Sequence, residues 1–223
     1  MSAGDEARGD SGPLATLARG ECHAWVHRRA QEPPGPGARG RRTEALRLVL
    51  RDLARRYLPD GDLTVERTCA RCGGPHGRPV VVVDGKPSPL RVSVAHAGDT
   101  TVFAFSGSAD VGVDIEVVRP DFDWSAMVDI VFSDAERRQT ESSSPDAAVR
   151  CVGYYERWVA KEAVLKAMGV GLAGPLKDVD TTGGRTSTWN GWSMAPLAVD
   201  LPLVGALACA GAVHDIRMFV AGP

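Results

Sequence analysis

The sequence predicts an α+β fold built from two similar α/β units. Three observations predict it. Apolar residues alternate with polar ones in several short runs, the mark of strands with one buried face. Two longer stretches carry the three-to-four spacing of amphipathic helices, one in each half of the chain. Turn-rich segments separate these elements, so each half offers one main helix and several strands. The expected units are residues 21–118 and 119–223, with the boundary near Arg119. Residues 1–20 are small, polar and Gly-rich, and are expected to form a disordered tail.

The elements follow in order. "ECHAWVHR" (Glu21–Arg28) reads as a strand, and "QEPPGPGARG" (Gln31–Gly40) as a Pro/Gly loop. Thr43–Leu58 predicts a helix, with Thr43 as N-cap and Leu46, Leu50, Leu53, Ala54 and Tyr57 as its apolar stripe. "TCARCGGPHGRP" (Thr68–Pro79) is rich in turn residues. Val80–Val83, Leu90–His96, Thr100–Ser106 and Val111–Val117 read as strands. "SDAERRQ" then starts a helix with a capping box, Ser133 and Glu136, and "SSSPDAA" signals another start. Val152–Met168 is the longest helix, closed by Gly169. The end of the chain alternates again, in Ser187–Leu197, Leu203–Ala212 and "DIRMFVAG".

Composition narrows the function. The chain has 223 residues, 43% of them hydrophobic, enough for a sizeable core. Its net charge of −2 argues against general nucleic-acid binding. No apolar run nears the ~18–20 residues that span a bilayer, and the N-terminus lacks the order of a signal peptide, so a cytoplasmic protein is expected. Five cysteines, an odd number, then suggest reduced thiols. Cys69 and Cys72 form a C-x₂-C with His76 beyond it. Zinc would need a fourth ligand, and none lies at standard spacing, so a turn is expected there.

Charge is uneven along the chain. From Arg19 to Arg56 ten arginines face four acids, a local balance of +6. Guanidinium groups suit phosphate recognition. "VGVDIEV" (Val111–Val117) shows the opposite bias. One face carries only branched apolar residues, and the other carries Asp114 and Glu116, roughly 6.6 Å apart at the rise of a strand. Like charges so placed repel. On the long helix, Glu162 and Lys166 are four apart and share a face, with Trp158 one turn before. Three carboxylates converging from a strand and a helix would suit a hard cation such as Mg²⁺, which takes oxygen ligands and substrate phosphates.

In combination, "VGVDIE", "FSDAERR" and "RWVAKEAVLKAMGVGL" resemble the 4′-phosphopantetheinyl transferases, and in particular their longer, pseudo-dimeric class that serves polyketide and peptide synthetases. The resemblance runs from Trp25 to about Gly211. It implies a pseudo-dimer of two α/β subdomains, monomeric, with the active site in the cleft between them. It also implies transfer of the 4′-phosphopantetheine arm of coenzyme A to a serine of an acyl or peptidyl carrier protein, with release of 3′,5′-ADP. Asp114, Glu116 and Glu162 would then hold Mg²⁺, or Mn²⁺. Glu162 would also be the favoured base for the serine, and Lys166 would contact the CoA phosphates. Lys161 would be solvated or aid phosphate binding, and Trp158 would pack. By the same resemblance His96 meets the 3′-phosphate, after Ala95 where the family has serine. Arg78, in the "GRP" turn, is a nucleotide contact. Arg41, Arg42 and Thr43 hold the 3′-phosphate and adenine edge, Arg42 better placed than Arg41. Ser93 lies two residues from Ala95 on the same strand face. The chain departs from the family at 31–40, where a short loop replaces a basic helix. Two other readings share some of these features. One is a different Mg²⁺-dependent phosphotransferase acting on a nucleotide, and the other a non-catalytic CoA-binding protein.

Overall fold

Large and small side chains alternate along β1 (Glu21–Arg28), and the whole architecture follows from that choice. His23 and Trp25 point one way, Cys22 and Ala24 the other. In a computed structural model describing residues 14, 17–29, 37–68, 72–75, 77–171, 174–213 and 215–222, the neighbouring strands repeat the pattern. The first sheet has the order β10 (Asp215–Ala221), β1, β5 (Thr100–Ser106), β4 (Lys86–Ala97), β3 (Pro79–Val83), β2 (Leu63–Arg67). It is antiparallel except for the β1–β10 pair. On its outer face Trp25, Val92, Phe103 and Phe105 pack against Leu50, Leu53 and Ala54 of α1 (Ala38–Arg55). On its inner face stand Cys22, Ala24, Ala95, Ala97, Val102 and Ala104. These are mostly small, which lets a second sheet approach closely.

That second sheet is antiparallel, in the order β6 (Val111–Val117), β9 (Leu203–Ala210), β8 (Trp192–Pro196), β7 (Ser187–Trp189). Val111, Val113, Ile115, Leu207 and Cys209 complete the inter-sheet core. Its other face carries Met194, Val204, Ala206 and Ala208. These pack under Val159, Ala163, Val164 and Leu165 of the long helix, together with Trp124 and Phe132. The chain is therefore layered helix, sheet, sheet, helix. Two short helices, α2 (Val128–Val131) and α3 (Asp134–Ser142), lead into that long helix, α4 (Ala147–Met168). The strands do not divide at residue 118. β6 pairs with β9, and β10 returns to pair with β1.

Several expected bounds shift. α1 begins at Ala38, not Thr43. Gly37 precedes it in the left-handed region at φ 77°, with no side-chain cap, and Ala and Arg are strong helix formers. Arg41, Arg42 and Thr43 thus follow the first three residues of the helix and do not open it. Residues 38–40 belong to α1 and not to the expected loop. α4 begins at Ala147, where the Asp146 side chain accepts from the Ala148 N–H. β2 was not expected. The tail does not run to residue 20: Leu17 is buried against the α1 core, and the Leu14 N–H donates to Arg56 O at 2.7 Å.

Two buried polar networks pin these layers. Glu136 closes the expected capping box, its Oε2 accepting from the Ser133 N–H at 2.8 Å. Its Oε1 accepts from the Thr181 N–H and hydroxyl, at 2.8 and 2.7 Å, and from Lys161 at 2.9 Å. Lys161 is fully buried and also donates to the carbonyls of Leu176 and Val179. It is not solvated: it ties α4 to α3 and to the 176–181 loop. In the first sheet, Trp25 Nε1 donates to the Tyr57 hydroxyl at 2.8 Å. That hydroxyl then donates to His23 Nδ1 at 2.8 Å, which leaves Nε2 to donate to Glu21 at 3.1 Å.

Burial holds the His23 imidazole below its ordinary pKa of 6.5, against the pull of Glu21. A histidine depressed in the folded state contributes stability that is complete above 6.5 and is lost as pH falls through its folded pKa. Thermal melts between about pH 7.5 and about pH 5 should therefore lose stability in the native protein, and lose less of it in His23→Gln. Equal slopes would remove His23 from the cause. In denaturant melts, Glu136→Ala should cost about 3–5 kcal/mol, because it strands Lys161 as a buried unpaired charge. Glu136→Leu combined with Lys161→Met should recover most of that loss.

Candidate active site

Strand alternation turns Gly112, Asp114 and Glu116 of β6 toward α4, and the glycine explains how near the helix comes. A Cβ at Gly112 would lie 1.9 Å from Ala163 O and 2.5 Å from Ala167 N. The helix backbone therefore rests on the strand at this point. One strand repeat further on, Asp114 lies beside the next helical face, which carries Glu162 and Lys166.

Asp114 is 6% exposed and Glu162 5% exposed. Lys166 Nζ donates to Asp114 Oδ1 at 2.6 Å. Asp114 Oδ2 and Glu162 Oε1 are buried without a hydrogen-bond partner. Burial raises the Asp114 carboxyl above its ordinary range despite Lys166. Glu162 is pushed up to about 7, first by burial, then by the charges of Asp114 and Glu116, with Lys166 opposing. Glu116, half-buried, is raised by desolvation and by Asp114, while Lys166, Arg119 and the Trp158 indole draw it down.

Two orphaned buried carboxylate oxygens from separate elements call for a proton or a cation. The donors are all oxygen, which fits a hard divalent ion. Among the described residues, however, no group of three Asp, Glu, His or Cys side chains is arranged to hold an ion. The carboxylates expected to share one are partnered differently, with Lys166 on Asp114.

These groups line a cleft of about 990 Å³, whose walls come from α1, β2, β4, β6 and α4. One wall is acidic, formed by Asp114, Glu116 and Glu162. The other is basic, with Arg47, Arg67 and His96, and Leu46, Val65 and Val94 lie between. Thr43 and Trp158 line the cleft as well. His96 is held below its ordinary pKa by partial desolvation, and then by the charges of Arg42, Lys166, Arg29 and Arg67. An anion is the natural guest beside such a cluster.

The other expected residues distribute unevenly. Half-buried Arg42 reaches Gly98 O at 3.5 Å and acts on His96 from the side, while Arg41 is exposed. Neither is among the residues lining the cleft. Ala95 is buried in the inter-sheet core at the cleft margin. Ser93 does not replace that hydroxyl at the cleft: it is buried, its Oγ accepts from the Val113 N–H at 3.1 Å, and it is not among the residues lining the cleft. Arg78, expected at the nucleotide, turns elsewhere: it donates to Ala167 O at 3.1 Å and pairs with Asp110 at 2.9 Å. It fastens the C-terminal end of α4, where carbonyls lack helical partners. Cys69 and His76 lie outside the described residues. Arg67 and Arg47 were not anticipated as cleft residues. Leu63, Val65 and Arg67 alternate on one face, a signal that reading β2 as a strand would have exposed.

A second groove, of about 610 Å³, lies on the other side of α4 and is lined largely by aliphatic side chains. Its polar groups satisfy one another, Arg157 with Thr140 and Thr181, and Arg185 with Glu156. The buried carboxylate oxygens without a partner lie at the first cleft.

Fold and site together define an α+β protein with a carboxylate–lysine cleft facing a basic wall. Within that class, residues 110–191 match the family model described as the 4′-phosphopantetheinyl transferase superfamily. The chain is 35% identical over 103 residues to the 4′-phosphopantetheinyl transferase AcpT of Salmonella typhi, covering 44% of this chain and 52% of that protein. It is 28% identical over 140 residues to the 4′-phosphopantetheinyl transferase HetI of a Nostoc species, covering 60% and 58%. It is also 28% identical over 144 residues to the human L-aminoadipate-semialdehyde dehydrogenase-phosphopantetheinyl transferase, covering 60% and 44%. The chain thus spans about half the length of the curated relatives it matches, and each of those relatives is named as a transferase.

If the cleft depends on the contact at Gly112, Gly112→Ala should destabilise the protein by about 3 kcal/mol or more, since backbone atoms must give way. Ala109→Gly, nearby but outside the contact, should cost under about 1 kcal/mol. Denaturant melts of the two variants check this.

Proposed function

We propose that the protein transfers the 4′-phosphopantetheine arm of coenzyme A to a carrier-protein serine and releases 3′,5′-ADP. One observation carries the reading: the segment that matches the superfamily, 110–191, holds Asp114, Glu116, Glu162 and Lys166 together against a basic wall. The serine oxygen attacks the β-phosphate of CoA, and the bond from that phosphorus to the bridging oxygen of the pyrophosphate breaks. The serine proton passes to Glu162, directly or through a water. Lys166 and the basic wall, His96 and Arg67 with Arg42 beside them, hold the phosphates and offset charge on the departing nucleotide. Asp114, Glu116 and Glu162 are the residues that would hold Mg²⁺, or Mn²⁺. When bound, that ion would supply charge neutralisation at the pyrophosphate. Trp158 holds Glu116 in place.

In this reading two α/β units, one built on each sheet, form a pseudo-dimer with the active site between them. A single chain then provides both walls, so the protein acts as a monomer. Its partners are acyl or peptidyl carrier proteins of polyketide or peptide synthetases, in the cytoplasm. No helix among the described residues is long and apolar enough to cross a membrane.

The test is to incubate the protein with CoA, Mg²⁺ and apo carrier proteins and weigh the carriers. The phosphopantetheine mass should appear. Folded protein that modifies none of several carriers overturns the reading. Asp114→Ala and Glu162→Ala should lower the rate by at least about 10²-fold. His96→Ala and Arg67→Ala should chiefly raise KM for CoA. Near-native turnover in Asp114→Ala would remove that residue from the reaction.

A further inference from the structure

The cation that neutralises Asp114 in this structure is an ammonium group. Lys166 Nζ lies 2.6 Å from Oδ1, while Oδ2 of the same carboxylate has no partner. The Lys166 side chain is 30% exposed and that of Asp114 8%. One end of the pair is thus fixed in the wall, and the other is a flexible stem open to the cleft. Lys166 acts on all three carboxylates, Asp114, Glu116 and Glu162, with Arg119 also acting on Glu116. One positive charge cannot balance them.

A divalent ion could, but not with Lys166 in place. Bound to Oδ2 at ~2.1 Å, such an ion would lie roughly 4–5 Å from an ammonium still on Oδ1 of the same group. Two cations that close in a partly buried site repel strongly. The lysine has somewhere to go. Its charge already acts on His96 across the cleft, beside Arg67 and Arg42, where an anion is favoured.

We propose that Lys166 is a resident counter-ion, which a divalent cation displaces from Asp114 and which then passes to a phosphate in the cleft. The inference rests on the reading of Asp114, Glu116 and Glu162 as the cation's ligands. It adds that the cation and the lysine compete, and that a phosphate relieves the competition. Cation and phosphate therefore bind with positive coupling through one side chain, and by linkage each strengthens the other equally. The arrangement also accounts for why, among the described residues, no three acidic side chains are arranged to hold an ion. Asp114 is drawn toward the lysine.

Direct binding of Mn²⁺ to the full chain, read by electron paramagnetic resonance of the free ion without CoA or carrier, tests this. Lys166→Met and Lys166→Gln remove the competitor and should tighten Mn²⁺ binding by about tenfold, ~1.4 kcal/mol. Lys166→Arg keeps the charge and should stay near the native value. Adding 3′,5′-ADP should tighten Mn²⁺ in the native protein, and do so less in Lys166→Met. If the native protein binds Mn²⁺ and the neutral variants bind it equally or more weakly, the competition is refuted while the cation site stands. If the native protein binds no Mn²⁺ at millimolar concentration, the cation site itself is refuted.

Discussion

Everything at the cleft depends on the contact between a helix backbone and a strand at Gly112. Helices ordinarily pack on sheets through their side chains, about 10 Å from the strands. Here the missing Cβ brings Ala163 O and Ala167 N down onto the strand. Side chains that flank such a contact are forced together. Asp114 and Glu116 follow Gly112 on the same face of β6, and Glu162 and Lys166 straddle Ala163 on α4. Three carboxylates are thus held close by packing, with only Lys166 to attract them. Packing at that point must outweigh their repulsion. It draws on the dense apolar cluster of Val159, Val164, Leu165, Met194 and Ala208 around it.

The charges are organised on a larger scale too. The first sheet and α1 contribute the basic wall, and the second sheet and α4 the acidic one. The inter-sheet core, built from small residues on one side and branched residues on the other, fixes how far apart the walls stand. A guest that carries several phosphates and a metal ion can satisfy both walls at once. A guest of one sign would satisfy only one. The cleft is selective by charge pattern before any hydrogen bond is considered.

Much of this was legible in the sequence, and the failures have identifiable causes. β1, β5 and β6 keep their expected bounds, because strict alternation defines a strand's faces. Alternation does not name a strand's neighbour, so the exchange of β6 and β10 between the two sheets could not be read. The start of α1 was misplaced because Thr43 is a good cap chemically, while Gly37 supplied the backbone turn first. The carboxylates and the lysine were singled out because their residue types are unusual where they stand, and the structure brings them to one cleft. Arg78 was read toward a phosphate because an arginine in a turn suits a phosphate and a helix C-terminus equally well; in the structure it donates to Ala167 O. Arg67 was missed because β2 was.

The pair Lys161–Glu162 shows why sequence order alone could not assign these roles. Successive residues on a helix point about 100° apart, so two adjacent charged side chains face different surroundings. Lys161 turns into the protein, where Glu136 and two loop carbonyls receive it. Glu162 turns into the cleft, where one of its oxygens finds nothing. The first charge is fully compensated and therefore inert. The second is uncompensated and therefore available to a proton or a cation. The two are also coupled mechanically. A helix anchored at residue 161 by a buried ion pair cannot rotate, and a carboxylate one residue along cannot turn away from Asp114 to relieve its repulsion. The structural lysine thus keeps the reactive glutamate in an environment that its charge alone would disfavour.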